Sequence, residues 1–230
     1  KKKENLSAIS ISTFSEDQNE TFAATISDGK IFLFDACGIE IISNVTNGTN
    51  AACVAWKPES HILAVGLEDG RISSWLLCEK SSLESNPTSL VCVSLSQIAH
   101  KNNCIFLTWN MNGTHLISCD GNELRLWKSD RNGFLTASTK YDSKSCVTSS
   151  VFLNAHDDLK HKLEKNVTYM FFGTQSGSLI HGDDCGNCRK VFQLSSSIDH
   201  LLLYEEKRHL VIITKSLILT QLYITNDNST

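Results

Sequence analysis

The stretch "DDCGNCRK", Asp183 to Lys190, is where this sequence comes nearest to site chemistry. Cys185 and Cys188 stand in a C-x-x-C spacing, which lets two thiolates share one metal ion or close one disulfide. A structural zinc ion takes four ligands, so a second C-x-x-C or a spaced His pair should accompany the first. The chain offers His181 nearby and nothing more, which leaves three ligands. A thioredoxin-like redox pair needs a βαβ context, and that context is absent. The reading that remains is a Gly-Asn hairpin turn with incidental cysteines. Cys185 and Cys188 stand only as weak metal candidates, and no cofactor is expected.

The other reactive residue types do not converge. Eight histidines are scattered, and His156 and His161, five apart, fall off a common helical face. Asp157/Asp158 and Asp183/Asp184 are paired acids in polar loops, where solvation accounts for them. No G-x-S-x-G, phosphate-cradling glycine loop or H-E-x-x-H is present. No catalytic residue is therefore expected, and an enzyme is the least supported class.

Composition sets the outer bounds. A chain of 230 residues makes one large domain or two small ones, with enough length for a real core. Apolar residues at 41% and charged residues at 20% suit an ordinary globular protein. A net charge of −4 argues against a nucleic-acid clamp or a polybasic membrane patch. The Lys1 to Lys3 run reads as a solvated end. No apolar run reaches the roughly 20 residues that span a bilayer, and "ENLSAIS" after the basic start is no signal peptide. The chain has no initiator Met and two Met in all, as a piece of a longer protein would. Nine cysteines, an odd number, some inside apolar runs such as "HLISCD", suit reduced core thiols better than a disulfide framework.

The elements that must position all of this repeat. "CVAWKPESHILAVGLEDGRISSW" is echoed by "CIFLTWNMNGTHLISCDGNELRLW", so Trp56 and Trp75 correspond to Trp109 and Trp127. Apolar runs begin at Phe22, Ile62, Leu116, Met170 and Leu210, at intervals of 40, 54, 54 and 40 residues. Each is followed by a tight turn and a second short strand. Gly70, Gly121 and Gly177 mark three of those turns, where positive φ is required. Gly66 to Gly70 has the same spacing as Gly173 to Gly177.

A period near 40 with short strands and a closing aromatic is the signature of a WD-repeat blade. The expected fold class is therefore all-β, a WD-repeat β-propeller of about five blades of a larger ring. The blades fall near 6–42, 43–80, 90–130, 141–194 and 195–224. The closing dipeptide is degenerate, and the usual Gly-His near the start of a blade is missing. The Trp and Gly positions read as structural repeat positions in a core. The polar insertion at 154–166 interrupts a hairpin. It reads either as a solvated loop or as a partner-binding loop, with Asp157, Asp158, Lys160 and Lys162 as the contact candidates.

Four stretches carry a family resemblance in their order and spacing: "AACVAWKPESHILAVGLEDGRISSW", "LTWNMNGTHLISCDGNELRLW", "FFGTQSGSLIHGDD" and "SIDHLLLYEEKRHLVIITKSLILTQLYI". Together they resemble the amino-terminal propeller of the intraflagellar transport protein 140 family, over about residues 6 to 224. The Cys185/Cys188 pair departs from that likeness. The resemblance implies a docking scaffold in cilia and flagella, in the particle that returns with the dynein motor and helps membrane receptors enter. It implies partners among intraflagellar transport complex A subunits and ciliary cargo, with no nucleic acid and no membrane insertion. It also implies location in the cytoplasm and the cilium, at axoneme and basal body. The alternative is an extracellular or lumenal glycosylated propeller binding a ligand. Its motive is the set of sequons at Asn5, Asn19, Asn44, Asn47, Asn112, Asn166 and Asn228.

Overall fold

A computed structural model describes residues 6–11, 23–27, 30–34, 40–43, 49–79, 88–96, 99–153, 167–204 and 208–224. The regular elements among them are all strands. The first sheet is β1 (Leu6–Ile11), β2 (Ala23–Ser27), β3 (Lys30–Phe34) and β4 (Glu40–Ser43). The second is β5 (Ala51–Trp56), β6 (Ile62–Leu67), β7 (Ile72–Glu79) and β8 (Thr88–Leu95). The third is β9 (Phe106–Trp109), β10 (His115–Cys119), β11 (Glu123–Ser129) and β12 (Leu135–Asp142). The fourth is β13 (Val147–Leu153), β14 (Tyr169–Thr174), β15 (Ser178–Asp183) and β16 (Cys188–Gln193). The fifth has three strands, β17 (Ile198–Tyr204), β18 (His209–Thr214) and β19 (Leu219–Tyr223). In every sheet, neighbours in sequence are neighbours in space, as in an up-and-down propeller blade. Among the described residues no helix is long and apolar enough to cross a membrane.

The repeating apolar runs map onto β2, β6, β10, β14 and β18, the second strand of each sheet. An inner strand of a sheet covered on both faces has no side for water, so its residues are apolar throughout. β6 is buried at every position. Its alternation shows as two destinations instead. Leu63, Val65 and Leu67 join a cluster with Ala24, Ile31 and Leu33 of the first sheet. Ala64 joins a different cluster with Leu116, Trp127 and Leu135 of the third. Each fully buried Leu or Ile side chain contributes about 1.5–3 kcal/mol against exposure.

The paired glycines have two separate causes. A Cβ on Gly66 would lie 2.6 Å from Cys53 Sγ and 2.7 Å from Cys104 Cβ, and one on Gly173 would lie 2.4 Å from Ile198 Cγ2. These glycines let the next sheet approach. Gly70 and Gly177 instead have φ of 81° and 82°, and each carbonyl accepts an N–H from the linker that leads to the next sheet.

Two of the expected blade bounds differ from the pairing. The outer strand "LVCVSL" fell inside the expected 90–130 unit, yet β8 pairs with β7 from Ser73↔Leu95 to Glu79↔Thr88. Position 141, expected to open the fourth unit, lies in β12 beside β11. In both cases the outermost strand continues the meander of the preceding sheet. The chain divides into two compact units, 1–120 with 125–137, and 121–124 with 138–230. The first holds the two clusters around β6. The second is centred on Phe171, Leu179, Ile198, Leu201, Leu210 and Ile212.

Candidate functional site

Within the first unit, three turns meet around a cleft of about 370 Å³. They are 57–60 between β5 and β6, 111–114 between β9 and β10, and 129–131 at the end of β11. Each turn is fixed by its own hydrogen bonds. Lys57 N donates to Ile62 O at 2.9 Å, and Gly113 N donates to Asn110 O at 3.0 Å. Asn110 also accepts from His115 N through Oδ1 and donates to Thr114 Oγ1, both at 2.9 Å. Asp130 Oδ1 accepts from Asn132 N at 2.9 Å and Phe134 N at 2.8 Å, closing an Asx-type turn.

Lys57 is the chemical centre of this cleft. It is 9% exposed, low for a lysine. Its ammonium donates to Ser129 Oγ at 3.2 Å and to the Asp130 carbonyl at 2.6 Å. It also lies 5.8 Å from the centroid of the Trp109 ring. Gly113 makes room for the aliphatic stem, since a Cβ there would sit 2.8 Å from Lys57 Cγ and Cε. Burial pulls the ammonium below the usual lysine range, and the Asp130 charge acts against that. Trp109 is held in place by its indole N–H, which donates to Ala55 O at 3.2 Å.

One other constellation has the spacing of a catalytic pair. His100 Nε2 and Ser118 Oγ lie 2.7 Å apart, the geometry of a base and its nucleophile. Trp127 Nε1–H also donates to Ser118 Oγ at 2.8 Å. His100 is 2% exposed and Ser118 fully buried, so a substrate has no approach to this oxygen. The network acts as a tie within the first unit, reinforced where Ala99 N and His100 N both donate to Gly70 O. His100 also bears on the missing blade-opening Gly-His. Ala99-His100 occupies that place, with Ala for Gly.

The Cys185/Cys188 hairpin is organised by Asp183. Its Oδ1 accepts from Cys185 N and Asn187 N, both at 2.9 Å, and its Oδ2 accepts from Asn187 Nδ2 at 2.8 Å. Gly186 has φ of 99°. Both cysteines are exposed thiols outside any disulfide. Among the described residues no group of three or more His, Cys, Asp or Glu could hold a metal ion. His181 points elsewhere, stacked on Tyr169 with centroids 5.5 Å apart. Trp56, Trp75 and Trp127 are buried, and Trp109 is half-buried. Asp157, Asp158, Lys160 and Lys162 lie outside the described residues, as does the whole 154–166 insertion. The cleft itself was missed. Its one sequence signal was a lysine set between Trp56 and Pro58 in a first turn, where the echo unit has Asn110 and Met111.

Comparison with known proteins adds a family. The model of the IFT140 first β-propeller matches residues 21–167. The probable cytosolic iron-sulfur protein assembly protein 1 of Kluyveromyces lactis is 26% identical over 110 residues. That match covers 46% of this chain and 33% of that protein, so the chain spans about a third of the curated relative's length. Among solved structures, the computationally designed Ika8 protein aligns with a TM-score of 0.66 at 15% identity, over 96% of this chain and 59% of that one. The designed Ika4 protein aligns at 0.57 and 16%, over 82% and 99%. At those identities the likeness is one of fold.

Proposed function

Because this chain belongs to the IFT140 first β-propeller family, we propose that it is a non-catalytic interaction scaffold of intraflagellar transport complex A. On this reading it docks other complex A subunits and ciliary cargo during retrograde transport, cilium assembly and the ciliary entry of membrane receptors. It would work in the cytoplasm and the cilium, at axoneme and basal body. The family match over 21–167 carries the reading. The physical support is a series of antiparallel sheets that display turns, with the His100–Ser118 pair sealed in the core. The net charge of −4 gives no general attraction to nucleic acid or to an anionic membrane.

The test is affinity purification and imaging of the tagged parent protein in a ciliated cell. Recovery of complex A subunits with signal along the axoneme is the expected result. A secreted or diffuse protein recovered without those subunits overturns it.

A further inference from the structure

We propose that the Lys57 cleft seats an acidic side chain of a partner protein. One Asp or Glu carboxylate pairs with the Lys57 ammonium, and an apolar neighbour in the same segment rests on Met111. The inference deepens the scaffold reading and rests on it for the presence of a protein partner.

The charge balance of the cleft points to this ligand. A buried cation is costly unless paired. Lys57 spends two of its three N–H donors on neutral acceptors, the Ser129 hydroxyl and the Asp130 carbonyl. Arg71–Asp69, Lys140–Glu123 and Lys140–Asp142 form ion pairs, and Lys57 belongs to none of these. The Asp130 carboxylate accepts the amides of Asn132 and Phe134 through Oδ1, within its own loop. An ammonium with two donors spent thus lines a cleft of about 370 Å³, with one donor left for an anion.

Size and surroundings select the kind of anion. Small-molecule pockets run from about 300 to 1,000 Å³, so this one takes a side chain or two. Glu59 and Asp130 stand beside it and disfavour a dianion such as a phosphate group, whereas a monoanion meets less repulsion. Met111 is 65% exposed at the same cleft and offers a soft apolar contact.

The experiment titrates the isotope-labelled chain with the blocked peptide Ac-Ala-Leu-Glu-Ala-NH2 and with its Gln counterpart, following backbone amide signals by NMR. The Glu peptide should move the signals of 57–60, 111–114 and 129–131 saturably, with affinity about tenfold or more above the Gln peptide. Added salt should narrow the gap. Lys57→Met should remove the discrimination, and Lys101→Met, at an exposed lysine, should keep it. The stem of Lys57 packs on Gly113, so the Met variant tests folding as well. The Glu/Gln comparison on the unaltered chain is therefore decisive. Equal affinity for the two peptides, or no movement of cleft signals into the millimolar range, overturns the proposal. Complex A recovered from cells while neither peptide binds overturns the cleft alone. Peptide discrimination without complex A recovery overturns the transport reading alone.

Discussion

Tyr141→Phe isolates one hydroxyl that ties the end of β12 to the C-x-x-C hairpin. The Tyr141 hydroxyl donates to the Asp183 carbonyl, with Asn187 O a further acceptor at 3.5 Å. The side chain is buried, and its ring lies 5.9 Å from that of Phe172, a contact that Phe would retain. Burial above all, with the Asp183 charge adding, pushes the hydroxyl up to about 12 from an ordinary 10.0. The folded state therefore holds this proton over a window in which the unfolded chain releases it. Stability from this group is complete below pH 10 and is lost as pH rises toward 12. Two units correspond to about 2.7 kcal/mol in full, and about half of that is gone midway through the window, near pH 11. At neutral pH the variant should be less stable by about 1 kcal/mol, the worth of one buried hydrogen bond. Urea unfolding of both proteins at several pH values reads the difference directly. The gap between them should close before pH 11 and then reverse, because the variant lacks the titrating group. Parallel profiles, with a constant gap from neutral to alkaline pH, would refute the reasoning and leave Tyr141 as packing alone.

Ser118→Ala removes the acceptor of the Trp127 indole and the partner of His100 Nε2, so thermal unfolding should show a loss of about 1–3 kcal/mol, while Ser118→Thr should retain part of it. A maleimide should label Cys185 and Cys188 first and reach Cys53, Cys104 and Cys119 only on unfolding, which peptide mapping checks. Within that protected set, the Cys53 thiol 3.5 Å away and burial both push the Cys104 thiol up, so Cys104 should react slowly even when opened locally. Gly177→Ala should cost upwards of about 1–2 kcal/mol in a melt, since φ is 82° and a Cβ would lie 2.4 Å from Leu194 O. Leu217→Gly should instead gain about 0.5–1 kcal/mol, because Leu217 is 87% exposed at φ of 61°.

What the sequence disclosed followed from how local each cause is. Runs of apolar residues ahead of a tight turn are forced by burial on both faces of an inner strand, so β2, β6, β10, β14 and β18 were legible as a series. The Asp183 hairpin was legible because its turn chemistry lies within six residues. The membership of β8 was not, because nothing in "LVCVSL" marks whether it continues the strand before its loop or opens the next unit. His100 was overlooked because the familiar Gly before it is Ala, although the backbone N–H groups of both residues do the work at Gly70 O. The cleft was beyond reach altogether: Lys57, Asn110 and Asp130 sit in separate turns, and each looks like ordinary turn chemistry until the sheets stack.

Leu217 shows how far turn sequence and turn geometry can separate. Thr174 Oγ1 accepts from Ser178 N and lies 3.1 Å from Ser176 Oγ, and Thr214 Oγ1 does the same with Ile218 N and Ser216 Oγ. Gly177 N donates to Thr174 O, as Leu217 N donates to Thr214 O. The two turns thus have one geometry, written once as T-x-S-G and once as T-x-S-L. Glycine is compelled at 177 by two causes, positive φ and the Leu194 carbonyl where a Cβ would go. At 217 the first cause persists, and the side chain projects into solvent. The Thr–Ser hydrogen bonds are then enough to hold a leucine in the left-handed region against a penalty of roughly 1–2 kcal/mol. The Thr and Ser positions, rather than the glycine alone, therefore define this turn, and a repeat search keyed to glycine passes over the fifth unit.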